Sequence, residues 1–311
     1  MPQYRIILNP IAGKGNAGKS LPVLKRILDG LGLDYDIIQT EYPWHAAELT
    51  EEAVMAGVET VVSVGGDGTL NEILNGLMLA KTKLKGSANL GVICNGRGND
   101  FAFSMGIPTT MVEACKALAQ KHKKKIDVGR VVSELYPEGR YFGNGIGIGF
   151  DAMVGFIAAE LPLKGPAGYL AGVIKTMSIY SPAPVMEIEA NGEVFSQGTL
   201  MTSIMNGRRM GGAFMMTPHS KPDDGLFDVC IASEMNKLKI MTMVPRFISG
   251  TQAGDSHIRY LRTDKINVKA IKGTIPAHAD GETLCTTGLE ISAELLSQQI
   301  DLIIRPTDQT K

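Results

Sequence analysis

The 311-residue sequence predicts an α/β protein with a doubly wound parallel sheet in its first half and an antiparallel β-sandwich in its second. Two changes of texture carry this expectation. Through about residue 130, short β-branched runs with glycine-rich exits alternate with helical segments, the pattern of a parallel sheet wrapped by helices. Beyond "KHKKKIDVGR" helical periodicity becomes rare, and short alternating runs bounded by Gly, Pro and Asp take over, as in an antiparallel sandwich. The expected domains are 1–129, which the C-terminal strand at 298–311 can complete, and 130–297.

In chain order, "YRIILN", "DYDIIQT", "ETVVSVGG" and "LGVICN" read as strands. Between and after them "SLPVLKRILDGLG", "HAAELTEEAVMAG", "LNEILNGLMLAK" and "MVEACKALAQKHK" read as helices. The sandwich strands are expected at "RYFGNGIG", "PVMEIEAN", "EVFSQGTLMTSIMN", "LFDVCIAS", "HIRYLRT", "KINVKA" and "LEISAE", with helical insertions near 151–179 and 236–249. The final run "QIDLIIRP" is strand-like and can pair with either domain.

Hydrophobic residues make up 44% and charged residues 20%, which suits a globular chain and excludes disordered and disulfide-rich classes. A formal charge of -1 gives no global attraction to nucleic acid or anionic membrane, so any such contact must be local. Cys94, Cys115, Cys230 and Cys285 are widely spaced without metal-ligand partners and read as buried free thiols. The first residues enter a strand without the pattern of a signal peptide, and charges or Pro162 break the most apolar stretch, 143–177, so no bilayer span is expected. The lysines of "KHKKK", 121–125, read as a solvated helix end whose cations suit the helix dipole.

In a doubly wound sheet ligands bind beyond the carboxyl ends of the strands. Three glycine-containing loops fall there: "NPIAGKG", "GGDG" and "NGRGND". In "VVSVGGDGTLNEILNGL" a buried-type strand runs through Gly65, Gly66, Asp67, Gly68 and Thr69 into an amphipathic helix. Glycines admit a bound group close to the backbone, and a helix N-terminus offers N–H groups to phosphate oxygens. Asp67 in such a corner must bond to backbone donors or face a cation, and magnesium carried by ATP meets the second condition. Taken alone, a GGDG turn with Asp as N-cap would serve structure equally well.

"GGDGTLNE" resembles the nucleotide-binding signature of the diacylglycerol kinase catalytic-domain family, which includes soluble bacterial diacylglycerol kinases and sphingosine kinases. "NPIAGKG", "QTEYPWHAAEL", "NGRGNDFAF", "NGRRMGGAFMMTPHSKPDDGLFDV" and "HADGE" resemble its other motifs in the same order, from about residue 5 to the C-terminus. The resemblance implies an NAD-kinase/phosphofructokinase-like first domain, a lipid-substrate sandwich, and ATP- and magnesium-dependent phosphoryl transfer to a lipid hydroxyl, with diacylglycerol as default acceptor. It also reassigns "GKGNAGKS", residues 13–20, which fits the P-loop pattern by composition while "GGDGT" takes the phosphate.

Carried onto this sequence, the resemblance places ATP against Thr40, against Gly65, Gly66, Asp67, Gly68, Thr69, Leu70 and Asn71, and against the third loop. There Arg97 replaces the family's usual threonine. Asn9, Asn99 and Asp100 are expected to tie loops together. The implied catalytic base is Asp280, with Glu282 in a positioning role; without the family, both read as an Asp-Gly hairpin turn with a solvated glutamate. A structural magnesium is implied at the carbonyls of Lys221 and Leu226 and the carboxylate of Asp224, where the bland alternative is another Asp-Gly turn. Met210, Met215 and Met216 suit an adaptable acyl pocket or plain core filling. The expected partners are ATP and a lipid at the membrane surface, with no nucleic acid, a homodimer left open, and a cytoplasmic chain peripherally associated with the membrane. The rivals are an NAD kinase-like enzyme and, because of Arg97, a lipid-binding regulatory pseudokinase.

Overall fold

The computed structural model describes residues 2–96, 98–161, 165–179 and 182–306. They form two compact units: Met1–Asp127 with Ser297–Lys311, and Val128–Leu296.

In the first unit β1 (Tyr4–Leu8), β2 (Tyr35–Gln39), β3 (Thr60–Gly65) and β4 (Asn89–Cys94) are parallel, in the order β2-β1-β3-β4. The end of the last strand, β15 (Glu290–Ile303), adds a fifth parallel member through Leu302 opposite Leu90. The chain therefore reverses its direction of travel between β1 and β3, the place where such sheets open a ligand crevice. Strand β3, "TVVSVG", is buried along its whole length, as befits a central parallel strand covered on both faces. Helices α1 (Ala12–Gly30), α2 (His45–Met55), α3 (Asp67–Leu79), α4 (Asp100–Met105) and α5 (Met111–Gln120) complete the unit, and a π-helical turn, Ala80–Leu84, continues α3. The Thr110 hydroxyl caps α5 by accepting from the Glu113 N–H, half of a Thr-x-x-Glu capping box.

The structure corrects the expectation for 121–125. Lys121 takes a left-handed C-cap conformation, φ 57°, and Lys123 already begins β5 (Lys123–Ser133), so these lysines do not extend the helix. Lys123 and Lys125 lie near Glu59 and Asp301, at 3.8 Å and 3.7 Å. The strand runs on because the "IDVGRV" that follows is buried at every position but Arg130 and has strands on both sides to pair with.

The second unit is an antiparallel sandwich. One sheet holds β6 (Tyr136–Phe142), β5, β15, β12 (Lys265–Lys272), β8 (Val185–Ala190) and the start of β9 (Glu193–Met205). The other holds β11 (Ile258–Thr263), β10 (Phe227–Ser233), the end of β9, β7 (Gly145–Gly149), β13 (Ile275–Ala279) and β14 (Glu282–Gly288). Thus β9 passes from one sheet to the other, making a corner. Strand periodicity divides the second sheet into two faces. Ile146, Ile148, Ile204, Val229 and Ile231 point into the core between the sheets, where Phe142 and Phe227 stack at 5.6 Å. Met201, Met205, Cys230 and Ala232 point the other way, into a second core with Phe150, Val154, Met177, Ile240, Met243 and Phe247. That core is covered by α6 (Phe150–Glu160), α7 (Gly165–Ile179) and α8 (Lys237–Ser249), which occupy the regions expected to be helical. Among the described residues no helix is long and apolar enough to cross a membrane, and all four cysteines are free.

Candidate active site

In the first unit the three glycine loops leave β1, β3 and β4 at their carboxyl ends and interlock. Asn9 N–H donates to the Val64 carbonyl at 3.0 Å, and Asn9 Nδ2 donates to Thr69 Oγ1 at 3.1 Å, joining the first loop to the second. Asn95 N–H donates to the Gly65 carbonyl at 2.8 Å, joining the third loop to the second, and Asn95 Nδ2 donates to Ser20 Oγ at 3.1 Å, joining it to helix α1. Gly66 and Gly96 meet so closely that a Cβ on Gly96 would lie 2.4 Å from Gly66 Cα. Asn99 closes its own loop, exchanging hydrogen bonds with Gly96 N–H and carbonyl at 3.2 Å.

Asp67 opens α3, after an extended N-cap at Gly66 and with no side chain capping the helix. Its Oδ1 accepts from Phe101 N–H at 3.3 Å, at the start of α4, so the carboxylate has found a backbone donor. Leu70 and Asn71 are buried in the first turns, where Asn71 accepts twice from Asn75 Nδ2. Glu72 Oε2 accepts from Ala46 N–H at 3.1 Å and so ties α3 to the start of α2. Thr40 stands at the end of β2, its N–H on the Leu8 carbonyl at 2.9 Å. Arg97 lies outside the described residues.

The P-loop reading of residues 13–20 fails on geometry. Gly13, Lys14 and Gly15 have φ of 59°, 63° and 82°, one left-handed turn at the front of α1, whereas Gly18, Lys19 and Ser20 lie inside the helix. Ser20 Oγ is spent on the Ala17 carbonyl at 2.8 Å and on Asn95.

In the second unit Asp280 and Gly281 form the turn between β13 and β14, with φ of 50° and 89°, as a two-residue hairpin demands. The Asp280 carboxylate accepts three main-chain bonds from the β6–β7 turn: Gly143 at 2.7 Å, Asn144 at 3.0 Å and Gly145 at 3.0 Å. The loop after β9 joins them. Asn206 Nδ2 donates to the Gly143 carbonyl at 2.9 Å, and Asn144 Nδ2 to the Arg209 carbonyl at 2.9 Å. Glu282 faces the buried Arg140 at 3.6 Å, and Arg140 also lies over the Tyr136 ring.

Asp224 sits in a different turn. Its Oδ1 accepts from Leu226 N–H at 3.3 Å and its Oδ2 pairs with the Arg262 guanidinium, whose Nε reaches Asp228 at 3.2 Å; Lys221 is exposed. Among the described residues no group of three or more His, Cys, Asp or Glu side chains could hold a metal. A divalent ion at Asp224 would have to displace a guanidinium, so this turn as folded does not fit one.

Sequence reasoning passed over Asp151. An apolar pocket, partly open to solvent, lies in the second unit, lined by Phe150, Val154, Met201, Met210, Met216, Phe247 and other apolar residues, and Asp151 is its charged wall. Met215 is not among the lining residues. Burial pushes the Asp151 carboxyl up to about 7, against the opposing bonds from Ser203 Oγ at 3.0 Å and Ala152 N–H at 2.9 Å. Gly147 makes room for it: a Cβ there would lie 2.7 Å from both Asp151 Oδ2 and His278 Nε2. Burial lowers His278 to about 4, so the ring is neutral at neutral pH, and Nδ1 accepts from Gly281 N–H at 3.3 Å. The signal in the sequence was "GIGIG", whose glycines all fall on the helix-facing side of β7.

A parallel sheet with glycine loops gathered at its switch point, followed by an antiparallel sandwich, is the NAD-kinase-like architecture. Residues 3–131 match the diacylglycerol kinase catalytic domain, and residues 144–304 match the YegS C-terminal NAD kinase beta sandwich-like domain. The chain belongs to the diacylglycerol kinase family and is by class an ATP-dependent lipid kinase. It is 29% identical over 287 residues to a diacylglycerol kinase of Bacillus subtilis (strain 168), covering 91% of this chain and 90% of that one. It is 28% identical to one of Staphylococcus aureus (strain MRSA252), covering 89% and 85%. A solved diacylglycerol kinase structure from Bacillus anthracis str. Sterne superposes with a TM-score of 0.74 at 22% identity, covering 98% of this chain and 97% of that one. Yeast NADH kinase shares the architecture more distantly, with a TM-score of 0.51 at 10% identity, covering 98% and 84%.

Proposed function

We propose that this chain transfers the γ-phosphate of ATP to the hydroxyl of a membrane lipid, with diacylglycerol as the default acceptor and phosphatidic acid as the product. The observation that carries this reading is the cavity of the second unit. NAD is polar and multiply charged throughout, whereas the cavity offers apolar side chains and a single carboxyl, the lining an acyl chain requires.

In this reading the loop from Gly65 to Asn71, with Thr40, receives ATP: glycines let the triphosphate approach the backbone and the α3 N-terminus faces its negative charge. Asn9, Asn95 and Asn99 keep the loops in register, and Arg97 adds a guanidinium to the phosphate site. The Asp67 carboxylate is the oxygen ligand this loop would offer to magnesium arriving with ATP, which would supply positive charge against the phosphates. The Asp280 carboxylate accepts the proton of the lipid hydroxyl. The freed oxygen bonds to the γ-phosphorus as the bond to the β–γ bridging oxygen breaks, and ADP leaves. Glu282 acts through Arg140 on the hairpin that carries Asp280.

The test is transfer of labelled phosphate from ATP with magnesium into diacylglycerol, monoacylglycerol, sphingosine and phosphatidylglycerol in mixed micelles, with NAD as a parallel acceptor. Labelled diacylglycerol supports the reading. Labelled NAD would revive the NAD kinase rival, and transfer gained only by Arg97→Thr would make the native chain a lipid-binding pseudokinase.

A further inference from the structure

The helix-facing side of the second sheet carries one row of small and polar residues. His278 on β13, Gly147 on β7 and Ser203 on β9 stand directly opposite one another in the register. Such neighbours in antiparallel pairs point to the same side, and the alternate positions, Ala277, Ile146 and Ile204, fill the core between the sheets. Glycine in the middle of the row leaves a notch, and Asp151, in the first turn of α6, enters it. Asp151 Oδ2 accepts from Ser203 Oγ at 3.0 Å. A Cβ on Gly147 would lie 2.7 Å from both that oxygen and His278 Nε2, so the two atoms close on one point.

The other nitrogen of the ring faces the hairpin that carries Asp280. In a two-residue turn the second turn residue has no ladder partner for its N–H, and here the Gly281 N–H donates to His278 Nδ1 at 3.3 Å. Burial keeps the ring neutral at neutral pH, with its pKa lowered to about 4, so it carries one proton. With Nδ1 accepting, that proton is on Nε2 and is directed at Asp151 Oδ2. The opposite tautomer would set two donors, Nδ1–H and the Gly281 N–H, against each other and release the turn. The carboxyl across the notch favours the tautomer that keeps it.

We propose that His278 is a positioning residue for Asp280, fixed in its Nε2–H form by Asp151 and holding the β13–β14 turn in the shape that aims the Asp280 carboxylate. The inference rests on the reading of Asp280 as the base. Asp280 takes φ 50° in this turn, a left-handed conformation that a non-glycine residue keeps only where its surroundings impose it. Three main-chain donors fix its oxygens, and the bond from Gly281 to the ring fixes the backbone on its other side. A base misplaced by about 1 Å is enough to lower a rate on the order of 10²-fold. Asp151 also walls the apolar pocket, so a change there is felt at the base as well as in the grip on the acceptor.

The experiment compares the full chain with His278→Leu, His278→Asn, Asp151→Leu and Asp280→Asn in transfer from ATP with magnesium to dioctanoylglycerol, well below every melting transition. Leucine keeps apolar bulk but offers Gly281 no acceptor, whereas the asparagine Oδ1 can stand where Nδ1 stood. The expected result is a kcat lowered about 10- to 100-fold in His278→Leu, with KM for ATP within about twofold, and restored to within about fivefold of wild type in His278→Asn. That recovery should hold even where asparagine melts no higher than leucine, which a merely structural ring would not allow. Asp151→Leu should lower kcat as well as change KM for the acceptor. Magnetic resonance of isotopically labelled histidine reads the tautomer directly, since the chain has five histidines and the signal lost in His278→Leu identifies His278. Wild type should show a bare Nδ1 and a protonated Nε2, and Asp151→Leu should lose that preference. The proposal is overturned by a kcat of His278→Leu within about threefold of wild type, by equal losses in the leucine and asparagine variants, or by an Nδ1–H tautomer in wild type. Each of these leaves the base reading standing if Asp280→Asn loses about 10²-fold or more, whereas Asp280→Asn within about tenfold of wild type defeats that reading and the positioning role with it.

Discussion

Asp280 has two occupations, and they can be measured apart. Three main-chain N–H groups bond its carboxylate, so it organises the β6–β7 turn whatever else it does. Asp280→Asn turns an amide N–H toward one of those donors, which should cost about 1–3 kcal/mol of stability. If Asp280 is also the base, kcat should fall by about 10²- to 10⁴-fold, with KM for ATP nearly unchanged. A lower melting temperature with kcat within about tenfold of wild type would leave it an organiser only. Asp151 and His278 make a second residue-scale prediction. Asp151 is raised to about 7 by burial, so between about pH 4 and 7 the folded state holds a proton that the unfolded state has lost, and stability falls as pH rises. His278 is lowered to about 4, so over about pH 4 to 6.5 the unfolded state holds the extra proton and stability rises with pH. The two slopes oppose each other in wild type. Asp151→Asn should unmask the rising slope and, above pH 7, melt higher than wild type; His278→Gln should unmask the falling one. Parallel melting profiles from pH 4 to 8 in all three proteins would refute this.

At the scale of elements, the site in the first unit depends on loops packed glycine against glycine. A methyl on Gly96 would meet Gly66 Cα at 2.4 Å, so Gly96→Ala must part the second and third loops. Overpacking of this kind costs about 1–3 kcal/mol, and the ATP-induced rise in melting temperature should shrink sharply; an undiminished rise would show that ATP does not use this corner. These loops were legible in the sequence because each pairs glycine with polar residues directly after a buried strand. The alternation of helix and strand likewise marked the parallel sheet. The Asp151 site was missed because "GFDAM" reads as an ordinary helix start and the glycines of "GIGIG" acquire a face only once β7 is paired. Its character comes from cross-strand neighbours: His278 opposite Gly147 opposite Ser203. Two expected strands, "LEISAE" and "QIDLIIRP", proved to be parts of one strand, β15, through Gln298, which has φ 51° and whose N–H donates to the buried Asp127 at 2.7 Å. No local pattern records a partner 171 residues away.

For the whole molecule the open matter is how many roles magnesium has. Asp224 already has a cation, the Arg262 guanidinium, and one carboxylate cannot favour a neighbouring divalent ion while that positive charge stays in place. Catalysis is a separate requirement, because the triphosphate of ATP carries charge that must be neutralised before an alcohol oxygen can approach it. Chelation should therefore divide two properties that a structural ion would join. Protein treated with EDTA and dialysed should keep its melting temperature within about 1 °C, since less than about half a kcal/mol would be involved at 2–4 °C per kcal/mol, yet transfer no phosphate until magnesium is restored with ATP. Arg262→Gln removes the internal cation and leaves Asp224 and Asp228 without their shared partner. This variant should melt lower than wild type, and magnesium alone, without nucleotide, should recover part of the loss. A fall in the melting temperature of the unaltered protein on chelation would instead place a structural ion at Asp224, with Arg262 displaced from it.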